Sequence, residues 1–292
     1  MRSRLSSVNW CLGSALGFVF ALAAGTGCQP GGGGQQQSSP DLASFMSTQE
    51  TEPNNGTTTS EHGTLTLGGA VTGAVGTPDD VDVFFVDVAP GTLVTATVSG
   101  AVDSALQPHL TVIDAGRGSA AAGEDYIKIV KSTSLTKSLT LSWLAMGQGG
   151  YYVVVRDTRN VGGPGGAGGA SATYTLTVSS ETAAPKKLSN GASGVGTLAS
   201  AGAVQLYEVE LAGASNLVFD VKHTAAGAVL DGRVIVYSFS ESDWVARQDD
   251  RTSSDFDPLV DAPLQTTGKH WIVVENLAPT ATELGFSYSI SL

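Results

Sequence analysis

The segment Val81-Asp-Val-Phe-Phe-Val-Asp-Val88 decides the fold class. Its apolar residues alternate, so that Phe84, Val86 and Val88 share one face. This period of two is typical of a β-strand that covers a core on one side. A later segment has the same spacing, with core candidates Leu139, Leu141 and Trp143. The two faces are therefore predicted to pack together.

The alternation continues along the chain, and turns rich in Gly, Asn, Asp and Pro separate its strands. No stretch past residue 60 keeps a helical apolar period for ten residues, which predicts an all-β fold. The run Tyr151–Val155 is apolar on both sides, as expected for a central strand. Strands are predicted in the first half at Ala70–Val75, Val81–Val88, Leu93–Ser99, Leu110–Asp114, Tyr126–Val130, Ser138–Leu144, Tyr151–Asp157 and Thr173–Val178.

The second half repeats the first in degraded form. Gln205–Gly213 parallels Val83–Gly91, and His270–Asn276 parallels Tyr151–Asp157. We therefore expect two tandem antiparallel β-sandwiches, residues 48–180 and 181–292, joined at a polar segment with one proline. Trp271 is assigned to a core position by this pattern, as is Trp143.

The first 27 residues resemble an export signal, with Arg2 and Arg4 before an apolar stretch and small residues before Cys28. The apolar stretch is short for a membrane span. A bacterial lipoprotein signal ends in this way, at a cysteine that is lipidated. Ordinary cleavage beside an incidental cysteine is the alternative.

Residues 28–47 are rich in Gly, Gln and Ser, a composition typical of a flexible tether. Such a tether favours the lipoprotein interpretation and predicts a protein of the outer membrane or cell surface, held to the membrane by its lipid anchor. The two cysteines, Cys11 and Cys28, both precede the folded part, so stability must come from core burial rather than disulfides.

The formal net charge is -12, which argues against nucleic acid and anionic lipid headgroups as partners. Two acidic clusters are prominent, one in Thr48–Asn55 and one in Asp79–Phe84. Carboxylate and amide oxygens on extended segments are the ligands that Ca²⁺ prefers. The pairing of these clusters predicts a calcium site.

Five motifs in this order resemble the bacterial pre-peptidase C-terminal (PPC) domain family, whose relatives include the collagen-binding domains of clostridial collagenases. The motifs are Glu50-x-Glu-Pro-Asn-Asn55, Asp80-x-Asp-x-Phe84, Ala89-Pro-Gly91, Gly150–Val155 and Tyr174–Val178.

The resemblance implies a jelly-roll-like β-sandwich with calcium where the acidic opening segment meets the turn before the Asp-x-Asp-x-Phe strand. Carried over by position, the implied ligands are Glu50, Glu52, Asn54, Asn55, Asp80 and Asp82. Asn55 departs from the Asp usual in calcium-binding members, which predicts weak affinity. The second repeat lacks both acidic motifs, so no such site is expected there.

Catalytic motifs are lacking: the sequence has no His-Glu-x-x-His pair and no Gly-x-Ser-x-Gly elbow. A Ser/His/Asp set assembled by the fold stays open at this point. The acidic run Gln248–Pro258 is either a second cation site or a solvated loop. Tyr237 and Trp244 are either a binding face or core.

Together these features predict a non-enzymatic, surface-tethered lipoprotein that binds extracellular protein or polysaccharide. A structural spacer or a secretion-assisting subunit of a cell-surface complex is the alternative, and an accessory part of a secreted peptidase system is a third. Exposed aromatic residues grouped on one sheet would favour binding over the spacer.

We predict that Cys28→Ser releases the protein from membranes, because it removes the atom that would carry the lipid. Radiolabelled fatty acid should enter only the wild type. Equal soluble fractions for the two proteins would rule out the anchor.

Overall fold

The chain is all-β in the part that the computed structural model describes, which is residues 48–292 without 57–60, 118–125, 132–136, 147–149, 162–165, 199–201, 225–230, 253 and 278–283. The signal, Cys28 and the tether lie outside these residues, so the predictions about them stay predictions. No helix of the described part is long and apolar enough to cross a membrane.

Strands of the first half follow the predicted alternation, and all eight predicted strands are present. Two strands of two residues, β1 and β2, precede them. The bounds are β1 Thr48–Gln49, β2 Gly63–Thr64, β3 Ala70–Ala74, β4 Asp82–Val86, β5 Thr92–Gly100, β6 Pro108–Asp114, β7 Tyr126–Lys131, β8 Ser138–Ala145, β9 Tyr151–Asp157 and β10 Thr173–Thr182. Short 3₁₀ turns follow β6 at Ala115–Arg117 and β9 at Thr158–Asn160.

The second half contains β11 Lys186–Lys187, β12 Ser193–Leu198, β13 Val204–Leu211, β14 Ser215–His223, β15 Gly232–Ser238, β16 Asp243–Gln248, β17 Leu259–Leu264, β18 Gly268–Asn276 and β19 Leu284–Ser291. Pairing between the longer strands is antiparallel, whereas the short strands β1, β2 and β11 pair parallel to β3, β4 and β13.

Four sheets result. Sheet I has the order β1-β3-β10-β5-β8 and sheet II the order β2-β4-β9-β6-β7, and these form the first sandwich. Sheet III has the order β11-β13-β18-β15-β16 and sheet IV the order β12-β19-β14-β17, and these form the second. The strand order in the second sandwich matches that in the first, apart from the missing counterpart of β1.

The predicted core faces lie between sheets I and II. Phe84, Val86 and Val88 are buried there with Leu139, Leu141 and Trp143. The ring of Trp143 meets that of Tyr151 edge-on at a centroid distance of 5.8 Å. Because alternate residues of each strand point inward, these apolar side chains exclude water from one continuous core.

The second core has the same architecture as the first. The strand pairing, however, aligns the two halves with a shift of one residue relative to the alignment made from the sequence. Phe84 pairs with Val153 across sheet II, and Tyr207 pairs with Ile272 across sheet III. Tyr207, rather than Leu206, is therefore the counterpart of Phe84. Tyr207 packs against Tyr288 at a ring-centroid distance of 4.7 Å.

A third apolar cluster, separate from the two cores, joins the sandwiches. Both sandwiches belong to one compact unit. This joining cluster combines residues of sheet I and the junction with residues on the outer face of sheet III, namely Leu144, Met146, Ala183, Leu206, Ile235, Tyr237, Trp271 and Val273. Trp271 is buried, as predicted, but it packs in this joining cluster, whereas Trp143 packs between the two sheets of one sandwich. Whether each sandwich folds alone stays a prediction.

We predict that Val273→Asp uncouples the sandwiches without unfolding either. Val273 is only 1% exposed in the joining cluster. A carboxylate at this position would be buried beside Glu275. The free energy of docking between the sandwiches should therefore become less favourable by about 3 kcal/mol or more. Calorimetry should then show two separate transitions, with circular dichroism still typical of strands. Val195→Asp, at a position 73% exposed, is the control and should melt as the wild type does. An unchanged single transition in Val273→Asp would contradict the interface.

Candidate metal centre

The acidic opening segment is fixed across the ends of two strands. The Glu50 N–H donates to the Thr72 carbonyl at 2.9 Å, which extends the pairing of β1 with β3. The Val83 N–H donates to the Asn54 carbonyl at 2.8 Å, which ties the same segment to β4. Two backbone hydrogen bonds thus bring the motif around Glu50 to the start of the Asp-x-Asp-x-Phe strand.

Three of the predicted ligands converge at this point. Glu50, Glu52 and Asp82 each place a carboxylate oxygen within 4.8 Å of the others. Asp82 is fully buried, Glu50 is half-buried and Glu52 is exposed. In the described part of the chain, no ion pair links these groups to Lys or Arg. Their mutual repulsion is therefore not offset by a basic side chain.

The amide of Asn54 lies inside the cluster and is only 1% exposed. One of its two terminal atoms is 3.0 Å from Asp82 Oδ1 and 3.2 Å from Glu52 Oε2. The other is 3.5 Å from Glu50 Oε2. The orientation in which the amide nitrogen donates to Asp82 and Glu52 leaves the amide oxygen 3.5 Å from Glu50 Oε2, so carboxylate oxygens surround the amide. Such an arrangement of oxygens is stabilised by a cation.

Tyr174, on β10, brings one hydroxyl to two carboxylates. Its oxygen is 2.7 Å from Asp82 Oδ2 and 2.9 Å from Glu50 Oε2, yet a phenol has one proton to donate. The phenol proton can therefore serve only one of these contacts. This role could not be predicted from the sequence, because Tyr174 is far from both carboxylates along the chain.

Gly73 provides the space for these groups. It lies opposite Tyr174 in the β3–β10 pairing, and a methyl group at this position would overlap the Glu50 carboxylate and the Tyr174 hydroxyl. The lack of a side chain at position 73 is thus a geometric requirement of the cluster.

Burial raises the pKa values of Asp82, Glu52 and Tyr174. Burial, followed by the charge of Glu50, raises the pKa of Asp82 to about 8. Burial and then the charge of Asp80 raise the pKa of Glu52. The pKa of the Tyr174 hydroxyl also lies well above its ordinary value, because of burial and the charge of Asp82. A bound cation would supply the positive charge that these carboxylates lack.

Asp80 and Asn55 lie at the rim of the cluster rather than among the converging carboxylates. Asp80 Oδ2 accepts a hydrogen bond from the Gly76 N–H. A terminal atom of the Asn55 amide is 2.9 Å from Asp80 Oδ1 and 3.0 Å from the Val81 carbonyl. The residues present therefore fit a hard cation, with Glu50, Glu52, Asn54 and Asp82 as the inner ligands and Asp80 and Asn55 beside them.

The second sandwich has a different arrangement at the equivalent place. Gly194 lies opposite Tyr288, as Gly73 lies opposite Tyr174. Lys186 Nζ donates to the Tyr288 hydroxyl at 2.8 Å, where the first sandwich has carboxylates. A lysine ammonium thus supplies a fixed positive charge.

The other candidates have structural partners. Asp257, in the acidic run of the second sandwich, contacts His223 Nδ1 at 2.8 Å, and Asp255 lies 3.4 Å from Arg251 Nε. Nδ1 of buried His270 lies 3.0 Å from the Gly268 carbonyl oxygen. His109 Nδ1 lies 3.3 Å from the Thr111 hydroxyl. These contacts fit the solvated-loop interpretation of the run and a structural role for both histidines.

No protein-family model matches the chain, and no curated protein matches its sequence. Solved structures do match at low similarity. The pre-peptidase C-terminal domain of a collagenase from Bacillus anthracis is 13% identical, over 37% of this chain and 95% of that one, with a TM-score of 0.31. The tandem CBM51 modules of a family 98 glycoside hydrolase from Streptococcus pneumoniae are 8% identical, over 76% of this chain and 83% of that one, with a TM-score of 0.24.

A periplasmic inhibitor of g-type lysozyme from Aeromonas hydrophila is 14% identical, over 37% of this chain and 94% of that one, with a TM-score of 0.26. Because all these TM-scores are low, the likenesses assign the chain to none of these families and to none of their activities.

We predict that Gly73→Ala destabilises the first sandwich by about 1–3 kcal/mol, because the added methyl displaces Glu50 or Tyr174 from the cluster. Thermal melting measures this loss. Gly213→Ala is the matched control, since an added methyl there meets no atom within 4 Å. A melting temperature of Gly73→Ala equal to that of the wild type would show that the space at position 73 is not needed.

Proposed function

We propose that this protein is an exported, non-catalytic binding module, tethered to a surface through Cys28, whose first sandwich is stabilised by Ca²⁺. The observation that carries the cation is the enclosure of the Asn54 amide by three carboxylates with no basic partner. Ca²⁺ takes six to eight oxygen ligands, and carboxylate and amide oxygens are the donor atoms gathered here.

The role of the ion follows from where its ligands lie. Glu50, Glu52 and Asn54 come from the opening segment, whereas Asp82 begins β4. An ion shared between them would hold the segment that leaves the tether against the sandwich. Its chemistry is that of a structural clamp, since its proposed ligands come from two segments of the chain that the ion would join.

A binding role has support from the aromatic residues outside the first core. His62, Phe85 and Tyr152 group together, with ring centroids 5.4–5.6 Å apart. Phe85 and Tyr152 pair across β4 and β9, on the side of sheet II that faces away from the core, and all three are partly exposed. Grouped aromatic side chains of this kind are common in binding surfaces. This grouping favours binding of extracellular protein or polysaccharide over a spacer role.

We predict that calcium binds with a Kd on the order of 10⁻⁴ to 10⁻³ M, as in weak extracellular modules, because Asn55 contributes no charge. At about 10 mM calcium, a Kd in this range stabilises the folded state by about 1.4 to 2.7 kcal/mol. The melting temperature of the first sandwich should rise by roughly 3 to 10 °C. Calorimetric titration and thermal melting of the purified full chain measure both quantities.

Two variants control this experiment. Asp80→Asn/Asp82→Asn should abolish the heat and the thermal shift, whereas Asp249→Asn/Asp250→Asn removes the same formal charge from the second sandwich and should leave both intact. If neither heat nor a shift is seen for the wild type at about 10 mM calcium, the acidic clusters are not a calcium site.

A further inference from the structure

We propose that the outer face of sheet I binds a neutral polysaccharide. The proposal rests on the binding role above and names both the surface and the class of partner. The face, called here the hydroxyl face, consists of alternate residues that point away from the first core. They are Thr72 on β3, Thr95, Thr97 and Ser99 on β5, Ser138, Thr140 and Ser142 on β8, and Thr173, Thr175, Thr177 and Ser179 on β10.

These hydroxyls form rows across neighbouring strands. One row is Thr177, Thr97 and Thr140, from the pairing of β10 with β5 and of β5 with β8. The hydroxyls of Thr97 and Thr140 are 3.0 Å apart. The adjoining rows contain similar pairs, with 2.8 Å between Thr95 and Ser142 and 3.0 Å between Ser99 and Ser138.

Each pair keeps part of its hydrogen-bonding capacity. A hydroxyl has one proton and two lone pairs, so a pair joined by one hydrogen bond still offers one donor and several acceptor sites. With strands about 4.8 Å apart and side chains of one face about 6.8 Å apart along a strand, the rows present a regular array. An extended polymer that carries many hydroxyls can meet several rows at once.

Charge distinguishes this face from its counterpart. The three hydroxyl rows contain no charged side chain, although the chain has a formal net charge of -12, and Glu181 lies opposite Leu93 in the next row. The equivalent face of sheet IV includes Asp220, Lys222 and Asp261, and Lys222 lies 3.4 Å from Asp220. The two sandwiches share a strand order, so the fold does not itself require an uncharged face on sheet I.

The absence of charge and of large apolar side chains from these rows selects the partner class. Protein interfaces have cores enriched in aromatic residues and depleted in serine, which is the opposite of this composition. An anionic polymer would meet the repulsion of the acidic chain and no basic side chain in the rows. A neutral polysaccharide matches the array through hydroxyl-to-hydroxyl hydrogen bonds, each weak and together additive along the polymer.

The second sandwich closes one end of the hydroxyl face. The row beyond Thr95 and Ser142 contains Leu93 and Leu144, which pack in the cluster that joins the sandwiches. Sheet III therefore lies at the end of the hydroxyl rows, and a bound polymer would run along the face beside it.

The test is affinity electrophoresis of the purified full chain. The gels contain a neutral polymer, which is an uncharged cellulose derivative, β-1,3-glucan or galactomannan, or else the anionic polygalacturonate. The wild type should be retarded by at least one neutral polymer and not by polygalacturonate. Thr97→Val/Thr140→Val/Thr177→Val keeps the side-chain shape and β propensity while it removes one row of hydroxyls. This variant should bind about tenfold more weakly.

Two variants sharpen the assignment. Thr197→Val removes an exposed hydroxyl from sheet IV and should bind as the wild type does. Tyr152→Ala disrupts the aromatic group on sheet II and tests whether that surface binds the polysaccharide instead. Thr140→Lys/Thr177→Lys places two long side chains over the same row and should also lose binding. Thermal melting of each variant checks that it is folded.

The remaining outcomes overturn the proposal in distinguishable ways. Equal binding by the wild type and both row variants, or loss only in Tyr152→Ala, would place the polysaccharide elsewhere and leave the binding role standing. Retention by collagen fibres without retention by any neutral polymer would overturn the partner class alone. Binding to neither would overturn the binding role as well.

Discussion

Burial of Asp82 at the first residue of β4 is the constraint on which the first sandwich depends. A carboxylate enclosed at the end of a core needs a proton or a positive charge. Tyr174 can give it one hydrogen bond, but the same hydroxyl also faces Glu50. The opening segment adds further acceptors instead of a basic group. The stability of this end of the sandwich therefore depends on how the charge of Asp82 is neutralised, by a proton or by the proposed cation.

The second sandwich lacks this constraint. Gln205 stands at the register position of Asp82, two residues before the counterpart of Phe84, so no carboxylate is buried there. Lys186 Nζ lies 2.8 Å from the Tyr288 hydroxyl, at the place where the first sandwich has carboxylates. The two halves of the chain thus share a strand order but differ in the charge that they place beside the equivalent tyrosine.

The sequence predicted the elements that alternation controls. Most strands from β3 to β10 could be located because their inward and outward residues differ in polarity, and β9 was located by its continuous apolar run. The two-residue strands β1 and β2 have no such period, since their pairing is set by the longer strands beside them. The burial of Trp271 was predicted, but a strand that is apolar on both faces does not show which face meets the core of its own sandwich.

Within the site, the ligand set followed from the family resemblance. Its convergence follows from the pairing of β1 with β3 and from the hydrogen bond of the Val83 N–H to the Asn54 carbonyl. Tyr174 and Gly73 could not be predicted, because their roles depend on contacts between distant parts of the chain. Tyr174 is 124 residues from Glu50. A comparison of the two halves offers the one available signal, since each has a glycine opposite a tyrosine at the same place in the sheet.

The burial of Ala183 has a consequence for survival outside the cell. Segments between sandwiches are often exposed and are then the first places that proteases cut. Here Ala183 is 9% exposed, its N–H donates to the Gly91 carbonyl at 3.2 Å, and it packs among apolar side chains of both sandwiches. A protease must bind the chain in an extended, accessible form, so it would have to part the two sandwiches first. Cleavage next to Ala183 therefore requires the two sandwiches to separate, although the neighbouring residues Thr182 and Ala184 are exposed.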